Sequence, residues 1–283
     1  MTARTASCRG IPVHYEEVGS GTPVLLLHGL TLEHRVSMAV FEPILLARAD
    51  AAAWRRIYPD LPGHGDTPAP DWLDSEDQML EILLEFADAV APGERVVIIG
   101  ASWGAYLALA LANRRAELVA GLLLSVPVVH ADRSRRDLPP RTVFVSAPAA
   151  VADVRPGEET WLDVATVQTL ETLARFRAVA ARPADEAFLE RLEPNYAFTF
   201  EHELTARIEA PALIVAGRQD SIAGYRDAWP LLEHLPRATF AVLDRAGHAL
   251  EDEQPTLFGA LVGDWLDRVA EHSARRSPNM PCG

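Results

Sequence analysis

Short apolar runs rich in β-branched residues alternate with longer helical patterns along most of this chain. Ile11–Val18 alternates apolar and polar positions and stops at the turn Gly19-Ser20-Gly21, which predicts a half-buried strand. Pro23–Leu27 and Arg95–Ile99 are nearly continuous apolar runs, as strands covered on both faces must be. Trp54–Tyr58, Leu118–Ser125, Ala212–Ala216 and Thr239–Leu243 complete the predicted strands. Helical patterns fill the gaps. Ser75–Val90 opens on Ser75, Glu76 and Asp77, residue types that suit a helix N-terminus. Trp103–Asn113 is apolar nearly all round and therefore predicts a buried helix. Ala223–His234 and Thr256–Val269 read as two more. This alternation predicts an α/β fold: a mainly parallel central sheet flanked by helices.

The rhythm breaks between Pro127 and Thr205. There the helical segments Trp161–Ala180 and Ala184–Leu192 follow one another with no strand between them. The expected organisation is a core in two parts, residues 1–126 and 206–272. A helical insertion over 127–205 interrupts it, and a disordered tail over 273–283 follows.

Composition narrows the possible partners. With 49% hydrophobic and 23% charged residues, the chain has the make-up of a soluble globular protein with a real core. A formal net charge of -14 disfavours phosphate backbones and anionic lipid surfaces, so neither nucleic acid nor a membrane is an expected partner. A small, neutral or weakly charged substrate fits better. The polar stretch Met1–Gly10 lacks the apolar segment of a signal peptide, and no apolar run approaches the ~18 residues of a membrane span. Cys8 and Cys282 stand near opposite ends and make no disulfide framework, which suits a reducing, cytoplasmic setting.

The candidate chemistry centres on Gly100-Ala101-Ser102-Trp103-Gly104. A Gly-x-Ser-x-Gly pentapeptide is a weak signal alone. Here it joins a strongly predicted strand to a buried helix. A sharp strand-to-helix turn presents the serine hydroxyl at the strand's carboxyl end, and flanking glycines let neighbouring chain pass close by. A serine hydroxyl needs an adjacent base. His248, in Ala246-Gly247-His248 just beyond the last predicted strand, is the candidate. The other histidines read as bystanders. His14 and His234 are expected at the partly exposed surface, and His28 and His64 in structural loops. His130 and His202 belong to the insertion, and His272 lies close to the chain end. Asp220, directly after Ala212–Ala216, is the candidate to orient the base. Asp132 is the alternative acid, and Asp220 as a mere helix cap is the bland reading of that residue. The backbone N–H groups of Leu30 and Trp103 are the candidate oxyanion donors. Scattered histidines and the lack of a His-Glu-x-x-His or cysteine cluster argue against a metal site, and no complete nucleotide fingerprint appears. No cofactor is expected.

These motifs give the chain a clear resemblance to the α/β-hydrolase superfamily over roughly residues 10 to 270. The resemblance rests on Leu27-His28-Gly29, on Asp60-Leu61-Pro62-Gly63-His64-Gly65-Asp66-Thr67, on the Ser102 pentapeptide, on Gly217-Arg218-Gln219-Asp220 and on Gly247-His248, with Ser, Asp and His in the family's order. It implies a serine hydrolase with a lid formed by the insertion. It leaves open esters and lactones, carbon–carbon bonds, amides as in proline iminopeptidases, and a receptor that keeps the triad but turns over little. Trp161, Phe176, Phe188, Tyr196, Phe198 and Phe200 would either dock the lid on the core or face an apolar pocket. Of these, Trp161 and Phe198, with His34, Met38 and Trp103, are the candidate pocket residues. Arg133-Ser134-Arg135-Arg136 reads as a solvated face.

Overall fold

The computed structural model describes residues 2–142, 145–146, 164–166, 169–172, 182, 184–203 and 205–276. The frame is an eight-stranded sheet in the order β1-β2-β4-β3-β5-β6-β9-β10. Its strands are β1 Thr2–Cys8, β2 Ile11–Val18, β3 Thr22–Leu27, β4 Trp54–Pro59, β5 Val96–Ala101, β6 Val119–Ser125, β9 Ala212–Gly217 and β10 Ala238–Leu243. Only β2 pairs antiparallel with both neighbours, and the other pairings are parallel. The middle strands β3, β5, β6 and β9 are almost wholly buried, which explains why their sequences are unbroken apolar runs.

Helices cover both faces. On one side α2 (Glu76–Val90) and α3 (Trp103–Arg114) enclose a core that includes Leu25, Leu27, Ile98, Phe86 and Tyr106. On the other, α1 (His34–Leu46) packs with the long C-terminal helix Pro255–Arg276 around Phe41, Phe258, Val262 and Trp265. In α3, every residue from Trp103 to Ala112 is buried, in keeping with its lack of a polar stripe.

Four expectations change. β1 extends the sheet from a polar segment, Thr-Ala-Arg-Thr-Ala-Ser-Cys, whose side chains are mostly exposed. Helix α1 forms where no helix is predicted, although it contains Pro43. Ala223–His234 is not a helix. Gly224 sits at φ +77°, where a Cβ would lie 2.8 Å from the Asp137 carbonyl oxygen, and only a 3-10 stretch, Trp229–Glu233, follows. A residue in the left-handed region cannot continue an α-helix. Finally, the C-terminal helix runs to Arg276, so the first residues of the expected tail are helical and 277–283 lie outside the described residues.

Parts of the expected insertion also lie outside them. Its described elements include the two-residue strands β7 (Val145–Ser146) and β8 (Val164–Ala165), paired parallel, and the helix α4 (Glu186–Leu192). Asp185 caps α4, accepting from the Phe188 amide, and its own N–H donates to the Gly63 carbonyl. The segment around Phe198 docks on α3: its ring stacks on Tyr106 at 4.6 Å, and its N–H donates to the Tyr106 hydroxyl. Among the described residues no helix is long and apolar enough to cross a membrane.

Candidate active site

Ser102 lies between the central strand β5 and α3, at φ 56° and ψ -116°, a left-handed conformation that costs a non-glycine residue on the order of 1–3 kcal/mol. The neighbouring contacts explain why glycines flank it. A Cβ on Gly104 would sit 2.2 Å from the Leu27 carbonyl oxygen, and one on Gly100 2.2 Å from that of Gly104. Helix α3 can approach strands β3 and β5 only if both side chains are absent. The Ser102 N–H donates to the Ser125 carbonyl at the end of β6, tying the turn to the sheet.

Two loops bring partners to the hydroxyl. The imidazole of His248, beyond β10, has Nε2 2.8 Å from Ser102 Oγ and Nδ1 2.9 Å from Asp220 Oδ2. Asp220, beyond β9, is fully buried and also accepts from the Ile222 and Ala223 amides. Burial works against charge at both groups, but their mutual attraction wins. His248 is held above the ordinary histidine value, and Asp220 below the usual carboxylate range with help from the two amides. Gln219 sets the spacing of the two loops. Its N–H donates to the Ala246 carbonyl, its Oε1 accepts from the Ala246 N–H, and its Nε2 donates to Asp244. Asp132 is ruled out as orienting acid, because it is exposed and accepts from the Ser134 amide and hydroxyl in its own turn.

Neither the Leu30 nor the Trp103 amide donates a hydrogen bond among the described residues. The loop carrying Leu30 is pinned by two histidines. His28 Nδ1 donates to the Gly29 carbonyl while Nε2 accepts from the Leu61 amide. His64 Nδ1 donates to the Pro62 carbonyl while Nε2 accepts from the Thr31 amide. Both rings must be neutral to make these bonds. Burial, reinforced by His64, lowers His28 to about 3.

A model of the alpha/beta hydrolase family matches residues 24–261, which contain every one of these groups. The chain belongs to the alpha/beta hydrolase family. Relatives within it differ in the bond they cleave. A 2-hydroxy-6-oxo-6-(2'-aminophenyl)hexa-2,4-dienoic acid hydrolase of Metapseudomonas resinovorans is 24% identical, with 95% of this chain and 92% of that protein aligned. A pimeloyl-[acyl-carrier protein] methyl ester esterase of Nitrosomonas europaea is 29% identical, over 84% of this chain and 92% of the esterase. The crystal structure of an alpha/beta superfamily hydrolase from Oenococcus oeni superposes with a TM-score of 0.83 at 28% identity, covering 95% of this chain and all of the other.

Within this hydrolase fold the expected pocket residues scatter. His34 is buried, not at an entrance: its Nδ1 and its backbone N–H both bond Asp60 Oδ1. Met38 packs on the opposite face of the sheet, against the Phe41 and Phe258 core. Phe198 is buried in the dock on Tyr106, and Trp161 and Phe176 lie outside the described residues. Trp103 is fully buried, with its ring 5.3 Å from that of His64. Among the described residues one His/Asp group, His14, His34 and Asp60, is close enough to consider for a metal. Its carboxylate already takes both imidazoles and the Asp66 and His34 amides, so hydrogen bonds use the positions a metal would need. These bonds, His34's foremost, outweigh burial and hold Asp60 below the usual carboxylate range.

Sequence reasoning also missed polar groups around the site. Glu76, read only as an acid that suits the start of α2, is fully buried and accepts from Trp103 Nε1 at 2.6 Å. Its other oxygen has no hydrogen-bond partner among the described residues. Burial raises this carboxyl to about 8. The unfolded chain ionises Glu76 near the ordinary value of about 4.5, whereas the folded chain keeps the proton until about 8. Wild-type stability therefore falls with rising pH across that window, by about 1.4 kcal/mol per unit. Glu76→Gln keeps an acceptor for the indole and cannot ionise. Its stability relative to wild type should rise by about 4 kcal/mol between pH 4.5 and 8 in urea titrations. Parallel pH dependence in the two proteins would refute the assignment. Arg136 departs from the solvated reading too. It is half-buried, and its guanidinium donates to the carbonyls of His130, Ala131 and Ile222.

Proposed function

We propose that this protein is a serine hydrolase that cleaves a small, largely apolar carboxylic ester or lactone through an acyl-enzyme. The observation that carries this reading is the contact of Ser102 Oγ with His248 Nε2, while Asp220 holds the other ring nitrogen. Asp220 keeps the proton of the neutral ring on Nδ1, so Nε2 is the basic face toward the serine. Ser102 Oγ attacks the carbonyl carbon and its proton passes to Nε2. Charge building on the carbonyl oxygen meets the Leu30 and Trp103 amides. His248 returns the proton to the leaving alcohol; it then takes a proton from water as the water oxygen attacks the acyl carbon, and gives it back to Ser102 Oγ as the bond to the acid breaks. The Nitrosomonas esterase supports ester chemistry by its similarity over most of both chains.

A second reading, carbon–carbon hydrolysis of a dienoic acid, is favoured by Arg136. The three carbonyls hold its guanidinium in place, and among the described residues no carboxylate lies within ion-pair distance of it, although Asp220 and Glu201 act on it from further away. An acidic substrate such as the one named for the Metapseudomonas relative would supply that partner. A panel of short nitrophenyl esters, lactones, aminoacyl anilides and an oxo-dienoic acid separates the readings by kcat/KM. The first reading predicts that esters lead by at least ~10-fold. A leading oxo-dienoate would replace it with the second, and a leading anilide with amide hydrolysis. Tight binding without turnover of any substrate would mark a receptor.

A further inference from the structure

The base has a second acidic neighbour. Glu251 lies three residues beyond His248, on the single helical turn α5 (Leu250–Glu253). It is reached from β6: the Ser125 hydroxyl donates to Glu251 Oε1 at 2.5 Å. Ser125 is also the residue whose carbonyl accepts the Ser102 N–H. The connections close a ring. Ser102 is bonded to Ser125, Ser125 to Glu251, Glu251 is one turn of chain from His248, and His248 Nε2 meets Ser102 Oγ. We propose that Glu251 is a positioning residue: through Ser125 it locks the turn that carries the base against the strand that carries the nucleophile's partner. The proposal rests on the reading of His248 as the base.

The geometry explains why one acid would not suffice. Asp220 fixes the ring from the β9 loop and sets its tautomer, but the backbone on which the ring sits belongs to the β10 loop. That loop begins with Arg245, strained at φ 56°, and runs through Gly247, whose backbone has the freedom to shift. Glu253 grips its early part by accepting the Gly247 N–H, and Glu251 grips the turn immediately after the base. The electrostatics agree. His248 faces Asp220 from the β9 loop, Ser102 from the elbow and Arg136 from the segment after β6. Glu251 adds to Asp220 in favouring the imidazolium, and Arg136 opposes them. Glu251 itself faces Ser125 on β6, with His248 and Asp220 nearby. Burial pushes its carboxyl above the ordinary value, and the Ser125 hydroxyl and His248 pull it back.

Two variants test this. Glu251→Gln keeps the shape and an acceptor for Ser125 but removes the charge. Ser125→Ala keeps the charge and removes the tether. The first readout is the NMR titration of the His248 ring, which needs no turnover. Glu251→Gln should lower its pKa by about half to one unit, and Ser125→Ala should move it less. The second readout is the pH dependence of fluorophosphonate labelling at Ser102, whose acid limb should shift in step for Glu251→Gln. Ser125→Ala should slow labelling about 3- to 10-fold at its plateau, with little shift of the limb. A purely structural glutamate would lower the unfolding midpoint of Glu251→Gln and leave both pKa readouts where they are; that result overturns the inference. Failure of wild type to react with the probe, in a folded sample, would instead overturn the reading of the triad.

Discussion

Ser102→Ala is expected to lower kcat/KM for the best ester by about 10⁴- to 10⁶-fold and to abolish fluorophosphonate labelling. Among the described residues the hydroxyl makes one hydrogen bond, to His248, whereas the turn is held by the Ser102 backbone. Its N–H donates to Ser125, and its carbonyl accepts the Ala105, Tyr106 and Val128 amides. Alanine keeps all four bonds and suits φ 56° no worse than serine does. The unfolding free energy should therefore change by less than about 1 kcal/mol, which makes the variant a clean chemical test. The oxyanion amides and the binding surface remain, so a small residual acceleration over water is expected. Retention of more than about 1% of the activity would move the nucleophile elsewhere.

Asp220→Asn should lower kcat by about 10⁴-fold with KM little changed. Asparagine can still accept the Ile222 and Ala223 amides through its carbonyl oxygen, so the loop keeps its shape. The amide nitrogen would then face His248 Nδ1. It donates where the carboxylate accepted, which forces the ring proton onto Nε2 and leaves no basic nitrogen toward Ser102. The loss of the negative charge also removes the main support for the imidazolium. In wild type, a raised His248 pKa means that activity falls as pH drops through a value above the ordinary 6.5. In Asp220→Asn the residual activity should persist to lower pH. Stopped-flow acylation rates across pH 5 to 9 measure both effects. A loss under tenfold would mean that another group orients the base.

Much of this framework is written locally in the chain. The buried strands β3, β5, β6 and β9 are continuous apolar runs, and a strand covered on both faces has no other workable composition. Gly100 and Gly104 are legible for the same kind of reason: the elbow tolerates no Cβ at either place. β1 left no such trace. An exposed edge strand is held by main-chain pairing to β2, and its side chains carry no pattern. Helix α1 was hidden by Pro43 near its end and by the mixed chemistry of its buried face, which includes His34 and Ser37.

Ser102, Asp220 and His248 could be picked out because each follows a strand at a sharp turn, and the fold order of those strands decides which turns meet. What the sequence could not convey is the fate of its charged residues. Glu76 and Asp77 are adjacent acids at a helix start, yet Glu76 is fully buried against Trp103 while Asp77 accepts the Thr199 amide and hydroxyl at the surface. Arg133, Arg135 and Arg136 form one basic run, and only Arg136 turns inward. Glu251 gains its meaning from Ser125, 126 positions away. Backbone geometry is set by neighbours in the chain, so a sequence declares it. Burial and charge pairing depend on which elements pack together across the sheet, and only the tertiary structure decides them.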